Sequence, residues 1–260
     1  MALLGEAPVF PPVWGAGAEG LVAVGGDLRP ERMLEAYRRG IFPWFEAPPI
    51  LWFSPERRAV LARGGLRVSR RLRRTLRQGR FAITLDADFA AVVRGCAEPR
   101  RGDAEEAEDG AGAAGAESAS AAGAPGPALD ARTWITPGMI TAYGALHRLG
   151  FAHSCEAWCG GALVGGVFGV SLGAAFFAES MFHRRRDAGK AALAALVWQL
   201  EDWGFALFDC QVQNPHLASL GVREISRKRY LAKLARAVEA PGRRAPWRLH
   251  PATLPRRLHG

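Results

Sequence analysis

The chain has 260 residues, 49% of them apolar, enough to bury the core of one large domain or two unequal ones. Its formal charge of +9 and pI near 10.2 point to a polyanionic partner, either nucleic acid or an acidic membrane surface. No apolar run approaches the ~20 residues that a spanning helix needs, which excludes a membrane span.

Residues 8–62 read as a small separate unit. Leu21 to Val24 has the pattern of a strand and runs into a tight turn at Gly25-Gly26-Asp27, which is neither a G-x-G-x-x-G nor a Walker loop. A helix follows, with Pro30 at an early position, Met33, Leu34 and Tyr37 on its apolar face and Gly40 as its stop. Next come Ile41-Phe42-Pro43-Trp44-Phe45 and Ile50-Leu51-Trp52-Phe53-Ser54-Pro55, aromatics set between prolines. Most of these are expected to pack as core, with Trp44 the best candidate to line an apolar ligand pocket.

Val68 to Arg80 predicts a helix capped by Ser69, with six arginines and no interleaved acid. Such a surface suits phosphate contacts, giving affinity with little sequence specificity. Residues 101–130 hold one Arg against seven acids and almost no large apolar group, so a disordered loop insertion is expected there. Outside that segment the chain has 33 basic and 18 acidic residues, a still stronger positive balance.

Order resumes at Thr133-Trp134-Ile135. A helix is predicted from Met139 to Leu149, with Ile140, Tyr143, Leu146 and Leu149 at core spacing and Gly150 beyond. Ala152–Trp158 and Leu163–Val170 read as strands joined by Gly160-Gly161, and His147 and His153 on these elements as structural. The run Ala174 to Ala178 is a buried strand that closes on Glu179, a carboxylate costly to bury without a partner and therefore the edge of a site.

A helix with Leu193, Leu196, Val197, Leu200 and Trp203 on its apolar positions leads to a strand, Phe205–Phe208, and to Asp209-Cys210-Gln211. Strand, helix and strand make a crossover unit, and ligands sit at the carboxyl ends of neighbouring strands in such units, so Glu179 and Asp209 are expected to share a pocket. Antiparallel strands before that crossover give the element order of an acetyltransferase-type domain. After Gly221, a basic helix with Tyr230, Leu231 and Leu234 is expected, and residues 241–260 are expected to wrap over the surface.

Asp209 and Gln211 alternate along an extended segment, which would turn both side chains to one face, with Asn214 close beyond. An aspartate can accept a proton if burial tunes it, whereas a glutamine amide can only orient a nucleophile or stabilise charge. A capped strand end is the plain alternative. No Ser-His-Asp or Cys-His arrangement is legible, and His183 and His216 flank the proposed site. Cys96, Cys155, Cys159 and Cys210 form no C-x-x-C pair, and Cys155, Cys159 and His153 lack a second ligand cluster, so neither a metal nor a cofactor is expected and a reducing cytoplasm is. Arg186-Asp187-Ala188-Gly189-Lys190-Ala191 fits R-x-x-G-x-A, an anion site at a helix start that suits either a coenzyme A pyrophosphate or an RNA phosphate. An N-acetyltransferase that uses coenzyme A, or a non-catalytic RNA-binding protein, are accordingly the rival readings.

GLVAVGGDL, AYRRGIFPWF, ILWFSPERRAVL, TWI, AHS, LVGGVFGV, ESMF, DCQ and HLASLG occur in this order along nearly the whole chain, which is therefore similar to the bacterial leucyl/phenylalanyl-tRNA–protein transferase family. The resemblance implies a mixed α/β (α+β) fold: a small N-terminal domain over residues 1–58 that contributes aromatic pocket residues, and an acetyltransferase-like catalytic domain over 59–260. It implies transfer of Leu or Phe from leucyl-tRNA or phenylalanyl-tRNA to the α-amino group of proteins that start with Arg or Lys, marking them for degradation, by a monomer. Carried over by motif, Tyr37, Trp44, Trp134, Tyr143 and Met181 would surround the amino-acid side chain and the terminal adenosine, and Glu179 would lie near the acceptor. Asp209 and Gln211 would position the acceptor amine, with Asn214 holding the same region. Arg70, Arg71, Arg73, Arg74, Arg77 and Lys190 would meet the tRNA. Three features depart from the family pattern: His183 where a Ser usually follows ESMF, Asp187-Ala188-Gly189-Lys190 in place of Asn-Ala-Ser-Lys, and the insertion at 101–130.

Overall fold

The computed structural model describes residues 2–99, 133–243 and 246–259, so the acidic insertion expected at 101–130 lies outside the described residues. The first 53 residues supply β1 (Ala2–Leu4), β2 (Leu21–Gly25), α1 (Pro30–Arg38), β3 (Phe42–Pro43) and β4 (Leu51–Phe53), whose four strands form one mixed sheet in the order β1-β2-β4-β3. Pro30 opens α1 where its missing N–H costs nothing. Gly40 ends the turn after it at φ 72°, and a Cβ there would stand 2.7 Å from the Tyr230 ring, so only glycine lets the chain pass.

All later strands join a second sheet. In chain order they and their helices are β5 (Arg57–Leu61), α2 (Arg70–Arg77), β6 (Ala82–Leu85), α3 (Phe89–Ala97), α4 (Pro137–Arg148), β7 (Ala152–Cys159), β8 (Ala162–Leu172), β9 (Ala175–His183), α5 (Ala188–Asp202), β10 (Leu207–Asp209), α6 (Pro215–Ser219), β11 (Arg223–Ser226), α7 (Arg227–Glu239) and α8 (Thr253–His259). The sheet order is β11-β5-β10-β9-β8-β7-β6, and the β9–β10 pair is parallel because the α5 crossover separates the two strands. One face of this sheet is covered by α1, α3, α4 and α7 through Tyr37, Val92, Tyr143, Tyr230 and Leu234. The other is covered by α5 and the C-terminal segment through Ala192, Leu196 and Trp247.

Leu149, expected on the apolar face of α4, is 50% exposed, and the buried stripe of that helix is Met139, Ala142, Tyr143 and Leu146 instead. Residues 246–259 run along the outside of α5, mostly exposed or half-buried, and are anchored by a few buried side chains. Trp247 is buried, its ring stacks on His153 at 3.6 Å, and its N–H donates to Asp86 Oδ2 at 2.8 Å. Gln199 Oε1 on α5 accepts from the His250 N–H at 2.6 Å and from Thr253 Oγ1 at 3.1 Å, so α8 is stapled to the core by buried hydrogen bonds. A Trp buried this fully contributes on the scale of core deletions, about 3–5 kcal/mol. Trp247→Ala should therefore lower the melting temperature by roughly 6–20 °C, measurable by circular dichroism.

Candidate active site

The site lies where two parallel strands part. β9 and β10 pair through Ala175/Leu207, Phe176/Phe208 and Phe177/Asp209; β10 stops there, while β9 runs on to His183. At the same level the β8–β9 register jumps, with Gly169 opposite Ala178 and Phe168 opposite Ser180, which leaves Glu179 as the extra residue of a bulge. Gly169 makes room for it, since a Cβ there would fall 2.1 Å from the Phe177 carbonyl.

The bulge brings Glu179 to Tyr37 of α1 and Tyr143 of α4. Tyr37 donates to Glu179 Oε1 at 2.8 Å and Tyr143 to Oε2 at 2.7 Å, and the two hydroxyls are 3.2 Å apart. With both protons given to the carboxylate, neither hydroxyl has one left for the other. Burial pushes the Glu179 carboxyl up to about 7, against the two tyrosine hydrogen bonds that favour its charged form. Burial also raises both phenols well above their ordinary value, which keeps them protonated donors.

Gln211 reaches the same carboxylate from the other strand, its Nε2 donating to Glu179 Oε1 at 3.2 Å. It does so from a left-handed turn at φ 55°, not from the extended segment expected from Asp209-Cys210-Gln211. The turn separates the two side chains. Gln211 faces Glu179, while Asp209 is fully buried behind it, with Oδ1 accepting from Arg58 Nε at 2.8 Å and from the Gln211 N–H at 2.9 Å. Asp209 Oδ2 accepts from Arg58 Nη2 at 2.6 Å and from Tyr230 OH at 2.7 Å. Four donors occupy this carboxylate, so Asp209 bears on the site through the backbone of Gln211.

Two residues behind the site, Arg58 and Tyr230, are not marked as site residues by the sequence motifs. Arg58 is buried between the rings of Phe42 and Tyr230, 4.6 and 4.5 Å from their centroids. Burial alone would lower its pKa, but the Asp209 carboxylate outweighs that and raises it. The signal was period two: in Arg57–Leu61, Arg58 and Val60 share one strand face, and Val60 is core.

The family model described as "Leucyl/phenylalanyl-tRNA protein transferase" matches residues 60–107 and 121–235, and that of its N-terminal domain matches 26–56. The chain belongs to the leucyl/phenylalanyl-tRNA protein transferase family. A relative of that name from Alkalilimnicola ehrlichii is 50% identical over 243 residues, 92% of this chain and 84% of its own. One from Syntrophobacter fumaroxidans is 51% identical over 233 residues, 89% and 88%, and one from Myxococcus xanthus is 46% identical over 241, 92% of each. Among solved structures, "The structure of L-PGS from Bacillus licheniformis" aligns at TM-score 0.36 with 10% identity, over 75% of this chain and 54% of that one, too slight a likeness to define a fold.

The leucyl/phenylalanyl-tRNA protein transferase match takes in Tyr37, Trp44, Tyr143, Glu179, Asp209, Gln211 and Tyr230; Arg58 falls between its two parts. Not all the residues expected around the donor side chain come together. Trp44 and Trp134 are half-buried on the α1/α4 side of the sheet, Trp44 edge-on to Phe53 at 5.8 Å. Tyr37 and Tyr143 are there too but fully buried, so what they present to the site is the hydroxyl that holds Glu179. Met181 lies on the opposite face with α5, its Sδ 3.2 Å from where a Cβ on Gly189 would sit, because the bulge shifts the alternation of β9 by one residue. Asn214 caps α6, its Oδ1 accepting the Leu217 N–H at 2.8 Å.

The arginines of α2 also divide. Arg73 donates to the Arg257 carbonyl at 2.9 Å and Arg77 to the Leu258 carbonyl at 2.6 Å, so both cap the end of α8. Arg71 pairs at 2.9 Å with Asp187, the left-handed N-cap residue of α5 in the R-x-x-G-x-A loop. Arg70 and Arg74 are exposed and their side chains make no hydrogen bond or ion pair with the described residues, and Lys190 is half-buried near the start of α5.

Proposed function

We propose that this aminoacyltransferase moves leucine or phenylalanine from leucyl-tRNA or phenylalanyl-tRNA to the α-amino group of proteins that begin with Arg or Lys, marking them for degradation. The observation that carries the reading is the meeting of Glu179 and Gln211 at the point where β9 and β10 part. Glu179, with a carboxyl near 7, is charged above neutrality and attracts a cationic N-terminal residue. Gln211 donates to Glu179 through Nε2, which leaves its Oε1 to accept an N–H of the incoming amine.

An α-amino group of pKa ≈ 7.7–8.0 is already partly neutral at working pH, so orientation contributes more than a strong base would. The amine nitrogen forms a bond to the ester carbonyl carbon, the bond from that carbon to the ribose oxygen breaks, and one amine proton ends on the freed ribose hydroxyl. Trp44 and Trp134 are the aromatic groups we assign to the apolar side chain of the donor.

For the tRNA we assign Arg70, Arg71, Arg74 and Lys190, and assign Arg73 and Arg77 to holding α8. Arg70→Glu/Arg74→Glu should weaken tRNA binding and reduce the slope of log affinity against log salt by about 2. Arg73→Ala/Arg77→Ala should lower the melting temperature and leave that slope within about 0.5. Filter binding and thermal melts separate the two pairs.

We also infer that the second sheet is of acetyltransferase type and forms with residues 59–260 the catalytic domain, supported by the antiparallel β7–β8–β9 run, the α5 crossover and the parting of β9 from β10. A cytoplasmic monomer fits a tRNA substrate and four free cysteines. No helix among the described residues is long and apolar enough to cross a membrane. The buried Asp187 carboxylate beside the start of α5 stands against a coenzyme pyrophosphate in that place. Incubation with leucyl-tRNA and a peptide beginning with Arg should add one leucyl residue to the α-nitrogen, read by mass spectrometry. Acetylation from acetyl-CoA with no leucylation would reverse the choice.

A further inference from the structure

We propose that Arg58 is a positioning residue for transfer: through Asp209 it fixes the left-handed turn at Gln211, and so holds the Gln211 amide against Glu179 where β9 and β10 part. The inference rests on the transfer reading above. Three observations carry it.

Gln211 adopts φ 55°, a conformation uncommon for a residue with a Cβ, and something must select it. The contacts that do so come from Arg58 and its strand. Asp209 Oδ1, aligned by the Arg58 fork, accepts the Gln211 N–H; Ala59, next to Arg58, donates its N–H to the Gln211 carbonyl at 3.0 Å and accepts from the Cys210 N–H at 2.9 Å. The turn is thus held at both its backbone groups by β5 and by the carboxylate that β5 anchors.

The same guanidinium also holds the opposite wall. Arg58 Nη1 donates to the Gly40 carbonyl at 3.1 Å, immediately after the helix whose Tyr37 donates to Glu179. One planar, five-donor group therefore spaces the strand that carries Gln211 from the helix that carries Tyr37, and a lysine could make only part of that fork.

A buried ion pair is weak evidence for stability, since apolar pairs of similar volume often serve as well. Here the pair touches Gln211, which holds the carboxylate of the site, and Gly40, which follows the helix of Tyr37, and this gives it a use beyond packing. The groups facing Glu179 are Tyr37 from α1, Tyr143 from α4, Gln211 after β10, and, behind it, Asp209 of β10 and Arg58 of β5. The Asp209 charge raises the carboxyl of Glu179 and the Arg58 charge lowers it.

The test compares wild-type protein with Arg58→Lys, Arg58→Gln, Asp209→Asn and Tyr230→Phe, using leucyl-tRNA and a peptide beginning with Arg. Arg58→Lys should lower kcat about 10- to 100-fold with the KM for leucyl-tRNA within twofold. Tyr230→Phe, which keeps the ring and removes one donor to Asp209, should lower kcat about threefold to tenfold. The acid limb of the pH profile should move up in Arg58→Gln and down in Asp209→Asn, while the limb due to the peptide amine stays common to all.

Should Arg58→Lys fail to fold, Tyr230→Phe and the Asp209→Asn limb decide the matter. Folded variants with kcat within twofold of wild type, or with both KM values raised together and unmoved pH limbs, overturn the proposal. An inactive wild type would instead overturn the transfer reading itself.

Discussion

Replacing Glu179 with Gln should lower kcat/KM for a peptide beginning with Arg by about 100-fold at pH 8, with the KM for leucyl-tRNA unchanged within about twofold. Losing one partner of a desolvated, hydrogen-bonded charge pair costs about 2–5 kcal/mol, and each 1.4 kcal/mol is tenfold. The effect should shrink as pH falls below 7, because burial holds the Glu179 carboxyl near 7 and the wild-type group is itself neutral there. The stability effect has the opposite sign. A carboxyl raised from 4.5 to about 7 binds its proton more tightly in the folded chain, so its ionisation costs stability as pH rises through that window and the cost is complete above 7. Glu179→Gln should therefore melt higher than wild type at pH 8, with the difference vanishing toward pH 4.5. Higher melting with lost transfer is the mark of a group kept for function at the expense of the fold.

Asp209→Ala should strongly destabilise the fold, on the scale expected for Trp247→Ala. It leaves the Arg58 guanidinium, 1% exposed, without its bidentate partner and Tyr230 OH without its acceptor. Breaking a buried pair by removing one partner costs about 3–5 kcal/mol, which for a chain of this size lowers the melting temperature by roughly 6–20 °C. Arg58→Met/Asp209→Leu, which removes both charges and refills the volume, should recover most of that loss in a thermal melt. It should not recover transfer, because the Gln211 N–H then has no carboxylate to hold its turn. Recovery of both would mean that the pair serves packing alone.

How much of this could be read from the sequence depended on the range of the interaction. The α5 crossover between β9 and β10 was visible because an apolar strand, a helical period and a second strand are local patterns, and Glu179 and Asp209 stood out at the strand ends, with Gln211 two residues beyond. The phase of β9 was not visible. A single-residue bulge opposite Gly169 reverses the alternation beyond Glu179, and this put Met181 with α5, while Glu179 stays on the tyrosine face that Phe177 shares. The left-handed turn at Gln211 was hidden for a similar reason: nothing in Asp-Cys-Gln demands it, and it follows from β5, some 150 residues earlier in the chain. The partition of the α2 arginines was equally long-range, since Arg73 and Arg77 find the carbonyls of α8 about 180 residues on. Trp247 carried a legible signal, a lone Trp in a Pro- and Arg-rich tail, which favours burial.

On the proposed reading, Glu179 senses the charge of the acceptor's first side chain while Gln211 orients its amine. The most direct measurement is the rate of leucyl transfer by wild-type protein to two peptides that differ only in beginning with Arg or with its neutral isostere citrulline, taken at pH 6 and pH 8. A preference for Arg of tens of fold at pH 8 that falls to a few fold at pH 6 is the predicted result. Equal rates on both peptides, or a preference that does not change between the two pH values, would contradict it.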